Sequence, residues 1–295
     1  MRRPRPVSAG PLRSSESMRS FRIAAWLGWQ IESNWTDPFL FAVYSIIKPL
    51  ASAGILVIMY GVISNGNFDA AIFPYIYYGN AFYIYVSAVM AGISWAVIDD
   101  REHYKTLKYM YIAPIRIPVY WLGRGVARFL SGSLAVVITL AFGVLFLHVP
   151  LDLLKVDWPL FLLSLVLGIA VLSMMGLILA SITLLVAHHF YLIGEAVASA
   201  LYLLSGAIFP LDVLPAWLRP LGYAVPITYW LELMRRSLAD NVAGAFPSLA
   251  RFSNAQLIGI LLALTLVCAL LSAFVFRYCD SRARERGLID YVSNY

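Results

Sequence analysis

The chain has 295 residues, of which 61% are hydrophobic and only 13% charged, about half the ~25% of a soluble domain. That is too little charge for a water-facing surface, so a soluble globular fold is excluded. The net charge of +6 comes from cations grouped in three segments, a pattern of membrane topology rather than of a nucleic-acid groove.

Residues 1–19, rich in Arg, Pro and Ser, read as a disordered cytoplasmic tail, with no apolar region of a cleavable signal peptide. Residues 20–36 mix Phe21, Trp26, Leu27, Trp29, Ile31 and Trp35 with Arg22, Gln30, Glu32 and Asn34. Leu27, Ile31 and Trp35 share a helical face, and tryptophan favours the headgroup level, which predicts an amphipathic helix lying in the membrane interface. A soluble helix packed on a partner is the alternative.

Six apolar stretches then approach or meet the ~20 residues of a membrane-crossing helix: 39–63, 72–98, 120–148, 158–187, 189–209 and 255–276. They are continuous rather than alternating, so the expected fold is an all-α integral membrane protein and not a barrel. Its six-helix transmembrane domain runs over 37–276, with a cytoplasmic tail at 277–295. In the first stretch Lys48 precedes Pro49. An intramembrane lysine is a functional candidate, but from this depth it can also snorkel to the interface. The second stretch is crowded with aromatics. Tyr78, Phe82 and Tyr85 are candidates for lining a conduit, with interfacial belt and packing as the alternative.

The next loop, Asp99-Asp100-Arg101-Glu102-His103-Tyr104-Lys105-Thr106-Leu107-Lys108-Tyr109, predicts an amphipathic helix over about 100–113. Arg101, Lys105 and Lys108 fall on one face, and Tyr104, Leu107 and Tyr111 on another. Pro114 and Pro118 end it. A tight turn at His188-His189 joins the fourth and fifth stretches. With no third ligand near in sequence, those histidines read as a turn rather than a metal site, and Glu195 follows in the fifth stretch. Segment 206–254 carries Pro210, Pro215, Pro220 and Pro226 among apolar residues. It is too broken to span and too apolar for a free loop, so two short re-entrant helices are expected before the last span, at about 206–240. Cys268 and Cys279 are spaced as separate thiols, not as a disulfide or metal pair.

Sixteen basic residues lie before residue 23, in 99–128 and after 276, against five in the intervening loops, namely Lys155, Arg219, Arg235, Arg236 and Arg251. The positive-inside rule places both termini in the cytoplasm. No HExxH, GxSxG or metal-spaced ligand run is present, and the absence of any Gly-Lys pair excludes a P-loop.

Two segments resemble the permease subunit of type-2 ABC exporters. One is Ser205-Gly206-Ala207-Ile208-Phe209-Pro210, then Leu214-Pro215, Trp217-Leu218, Pro226-Ile227-Thr228-Tyr229 and Arg235. The other is Asp100-Arg101-Glu102, Thr106-Leu107 and Pro114. That second segment has Tyr104-Lys105 in place of the family's usual Gly, with one extra residue, and Lys108 in place of its Glu. The resemblance is nearest the drug- and lipid-export branch and implies a permease in the cytoplasmic (inner) membrane of a prokaryote. Two permease chains would pack face to face on two copies of a cytoplasmic ABC ATPase, surrounded by membrane lipid, with no nucleic acid involved. No cofactor is implied in this chain, because ATP and Mg would sit on the ATPase. Arg101, Glu102, Tyr104, Lys105, Leu107 and Lys108 would couple to that ATPase. Gly206, Phe209, Pro210, Pro215, Pro226 and Tyr229 would form an outer gate. The substrate class expected is an amphiphile: a drug, lipid or glycolipid. A polysaccharide or lipid-linked glycan exporter and a non-transporting membrane scaffold are the other readings.

Overall fold

A computed structural model describes residues 12–34, 38–65, 72–186, 191–239 and 247–289. The described residues hold helices and no strand. The first, α1 (Leu12–Asn34), begins before the expected residue 20, so residues 12–19 of the predicted tail are helical. The paired histidines at 188–189, Trp35 and most of the outer loop at 64–71 lie outside the described residues.

The helices α2 (Pro38–Ile63), α3 (Ile72–His103), α5 (Ile117–Leu147), α6 (Trp158–Leu185) and α11 (Asn254–Glu285) carry the long apolar runs. Five helices among the described residues are thus long and apolar enough to cross a membrane. The expected fifth span is described as helix only over α7 (Tyr191–Leu204), which at ~1.5 Å per residue falls short of a ~30 Å core. Helix starts follow their capping chemistry. Asp157 accepts from the Leu160 N–H at the head of α6, and Ser253 with Gln256 forms a reciprocal capping box on α11. The last helix continues through Arg277, Arg282 and Arg284, so the first part of the predicted tail is an extension of the span.

At the centre stands α3, buried along most of its length against α5, α6 and α7. It is an α-helix interrupted by two π-helical stretches, Val86–Ala91 and Asp99–His103. Lipid offers no hydrophobic drive for helix association, so close approach at small residues matters most. Around the first π stretch, a Cβ at Gly132 of α5 would lie 2.9 Å from Ala88, and one at Gly176 of α6 would lie 3.0 Å from the Met90 carbonyl. At the other end of the bundle, α1 packs along α5, where Ala24 and Gly28 meet Gly123, Arg124 and Ala127. The Glu32–Arg128 ion pair at 3.0 Å fixes that contact.

The two expected short helices are present as α8 (Arg219–Ala224) and α9 (Pro226–Leu238). Pro226 opens α9 at a first-turn position, where its missing N–H costs nothing. α9 is wedged among α3, α6 and α11. A four-residue turn of helix, α10 (Pro247–Ala250), leads into α11. α4 (Leu107–Ile112) completes the set, in the loop between α3 and α5.

Candidate functional site

The predicted helix over 100–113 is not one helix. α3 widens into its second π stretch, the Tyr104 N–H reaches the Asp99 carbonyl, and the chain turns at Lys105 with φ of +52°. Only then does α4 begin. The break is at Tyr104-Lys105, where Lys105 adopts a left-handed conformation that costs an L side chain about 1–2 kcal/mol. Lys105→Gly removes that cost and is expected to raise the thermal midpoint slightly, net of the backbone entropy glycine brings. A scanning-fluorimetry comparison of the purified variants measures it.

The break also divides the predicted faces. Arg101 is not on an exposed basic stripe. Its guanidinium is buried and donates to the Thr183 and Val186 carbonyls at 3.3 and 3.2 Å while pairing with Glu102 at 3.0 Å. It thereby caps the C-terminal end of α6, where orphan carbonyls and the helix dipole favour a cation. Leu107 is likewise interior, at 1% exposure. The exposed ridge is made by Tyr104, Lys105, Lys108, Tyr109 and Ile112.

Beneath this ridge lies a charged network that holds it rigidly. Arg124 of α5 donates to Asp100 at 3.1 Å and Asp99 at 3.3 Å. The Tyr120 hydroxyl adds a bond to the same Asp100 oxygen at 3.3 Å. On the far side Tyr111 of α4 donates to Asp280 of α11 at 2.7 Å, and Arg284 both pairs with Asp280 and lies over the Tyr111 ring. Burial pushes the Tyr111 hydroxyl pKa up, and its donation to Asp280 pushes it further, so it stays a donor. The ridge is therefore tied to α5, α6 and α11 at once. Sequence reasoning counted Arg124 only as a topology charge. An arginine four residues into an apolar run was the signal that it had a partner.

The outer segment is organised around a residue that also stood in the motif. Arg235 of α9 is 1% exposed. It donates to the Tyr75 carbonyl at 3.0 Å and the Gly206 carbonyl at 2.7 Å, with its guanidinium carbon 3.6 Å from the centre of the Tyr75 ring. The backbone at Gly206 has φ of +73°, a turn that favours glycine and aims its carbonyl at this cation. Gly79 leaves the space: a Cβ there would lie 2.2 Å from both the Ala207 carbonyl oxygen and an Arg235 nitrogen. Pro210, Pro226 and Tyr229 are buried, and Tyr229 donates to the Tyr223 carbonyl at 2.8 Å. Phe209, Pro215 and Trp217 are exposed.

The candidate conduit residues go to packing. Tyr78, Phe82 and Tyr85 are buried within this one chain. Tyr78 donates to the Pro150 carbonyl, Phe82 lies against Phe161, and Tyr85 reaches Ser133 at 3.0 Å. Lys48 and Glu195 are both exposed. Among the described residues no cluster of side chains suited to a metal occurs.

The chain thus carries a bent, exposed ridge fixed to three long helices, and a pinned pair of short helices around Arg235. The sequence model of the ABC-2 type transporter family matches residues 20–239. The chain belongs to that family. Among curated proteins, none matches it significantly. The match takes in α1, the ridge and the Arg235 hairpin alike. This ABC permease subunit is a multi-pass membrane protein, and its family is one of membrane permeases rather than of ATPases.

Proposed function

We propose that this permease exports an amphiphile across the cytoplasmic membrane of a prokaryote, as two permease chains resting on two ATPase subunits, with both termini in the cytoplasm. The observation that carries the reading is the exposed ridge Tyr104–Ile112 on a rigid base. A surface that transmits force must not deform on its own mounting. Here Asp99, Asp100 and Arg124 lock its root, and the Tyr111–Asp280–Arg284 cluster locks its far end. ATP-driven closure of the ATPases would move the ridge, and α3, α5 and α11 would move with it as rigid levers. ATP and Mg supply the work on the partner. What this chain contributes is a contact surface and stiff helices. The sixteen basic residues on one side support the orientation.

The correction at Leu107 decides the test. Leu107→Asp would disturb the interior whether or not an ATPase docks, so it cannot discriminate. Ile112, at 84% exposure, and Tyr109, at 63%, can. Burial of such a side chain contributes about 1.5–3 kcal/mol, so Tyr109→Asp with Ile112→Asp is expected to weaken ATPase capture by roughly tenfold or more. Expression and thermal midpoint should stay at wild-type values. Co-purification from the native membrane, followed by substrate-stimulated ATP turnover, measures it. Wild-type capture by the double variant would remove the ridge as the coupling surface.

A further inference from the structure

Between α1 and the segment around α4 lies a cleft of about 750 Å³, within the ~300–1,000 Å³ of ligand sites. Its walls are mainly apolar: Ile23, Leu27 and Ile31 of α1 on one side, Met110 and Ile115 on the other. Arg19 and Ser20 stand on the same lining. Asp100 and Arg124 also contribute, paired at 3.1 Å while Arg124 also holds Asp99 at 3.3 Å, and the second Asp100 oxygen is sealed from solvent. The lining carboxylate therefore presents little charge to an occupant. The surrounding surface is cationic: Arg19, Arg22, Lys105, Lys108 and Arg116 are all exposed, and none forms an ion pair among the described residues. On α1, exposed Trp26 and Trp29 belong at the headgroup level, which sets the depth of the cleft mouth at the phospholipid phosphates.

An apolar slot at phosphate depth with a basic rim matches one chemistry. Basic clusters on an amphipathic helix recognise anionic lipid, and a single chain buried beside them adds the apolar contact. We propose that the α1–α4 cleft holds an acyl chain of an anionic phospholipid from the adjoining leaflet, with the lipid phosphate on Arg19. The site adjoins the proposed docking ridge, with Tyr104 lining the cleft and standing on the ridge. A bound chain would sit between α1 and Met110, so lipid composition would tune how firmly α1 follows the ridge.

The test uses the full-length permease in detergent, titrated with phosphatidylglycerol or phosphatidylcholine and read by native mass spectrometry. Phosphatidylglycerol should be retained about tenfold over phosphatidylcholine at equal concentration. Arg19→Glu should cut that preference by about fivefold or more. Leu27→Trp, which fills the slot, should reduce retention of both lipids. Ile23→Trp, at a more exposed wall position, replaces it if Leu27→Trp does not purify as a monodisperse protein. Equal retention of the two lipids overturns the site, and so does wild-type retention in Arg19→Glu and a slot-filling variant. If those variants keep their lipid but lose ATPase capture, the slot is the partner's pocket. The lipid assignment then fails while the docking reading stands.

Discussion

Replacing Arg235 by alanine will collapse the outer hairpin. The substitution leaves the Tyr75 and Gly206 carbonyls facing a buried void and strips the Tyr75 ring of its cation. Hydrogen bonds to a charged group contribute about 1.5–3 kcal/mol each, and losing one partner of a buried set exposes the full desolvation cost of the other. The expected destabilisation is about 3–5 kcal/mol for the two bonds together. Arg235→Lys should be nearly as harmful, because an ammonium cannot span two divergent carbonyls as a planar fork does. Fluorescence-detected thermal unfolding in detergent measures both. A midpoint within about 2 °C of wild type for Arg235→Ala would mean that the hairpin stands without its cation. Gly79 supplies an internal comparison, since any side chain there meets the same guanidinium.

The second large effect is at the root of the ridge. Arg124→Leu leaves Asp100, at 1% exposure, with no cation and only the Tyr120 hydroxyl, beside an Asp99 that keeps His103 at 3.0 Å. Breaking such a buried arrangement costs about 3–5 kcal/mol. Removing the charge on the other side should restore part of it, so Arg124→Leu with Asp100→Asn is expected to recover at least about 1 kcal/mol of stability relative to additivity. Thermal midpoints of the two single variants and the double variant close the cycle. Strict additivity would mean that Arg124 stabilises through packing alone. On the proposed function, the transport consequence is separable: a partner ATPase assembled with a double variant that folds but has a looser ridge should hydrolyse ATP while less substrate moves per turnover.

The long apolar runs were legible because lipid imposes a length and forbids unpaired backbone, and α2, α3, α5, α6 and α11 follow from that alone. The proline-broken outer segment was legible for the same reason. What the sequence hid was direction. Arg101 looked exposed because helical spacing was carried through Lys105, where the backbone reverses. Leu107 looked like a contact residue because amphipathicity cannot say which partner covers an apolar face, and here the core of its own chain covers it. The aromatics of α3, from Phe73 to Tyr85, occupy several sides of it, and a helix buried on all sides has no face from which a conduit can be read. The Asp100–Arg124 pair joins residues 24 positions apart on two helices, a relation that periodicity within one helix does not carry.

The wide turn at Val86–Ala91 acts as an angular offset between the two ends of α3. Above it, Tyr75, Tyr77 and Tyr78 clasp the outer half, and below it Asp99 and Asp100 must meet Arg124. One residue of an α-helix turns the chain by about 100°. Winding the same residues as a regular α-helix, with i→i+4 bonds in place of i→i+5, would swing everything beyond Ala91 by about that angle, carrying both aspartates away from α5 and Arg101 away from the end of α6. The bulge is thus a clocking device. It absorbs one more residue than regular winding would hold between the two ends, and so lets the anchors at one end and the charges at the other each keep the azimuth their own neighbours require.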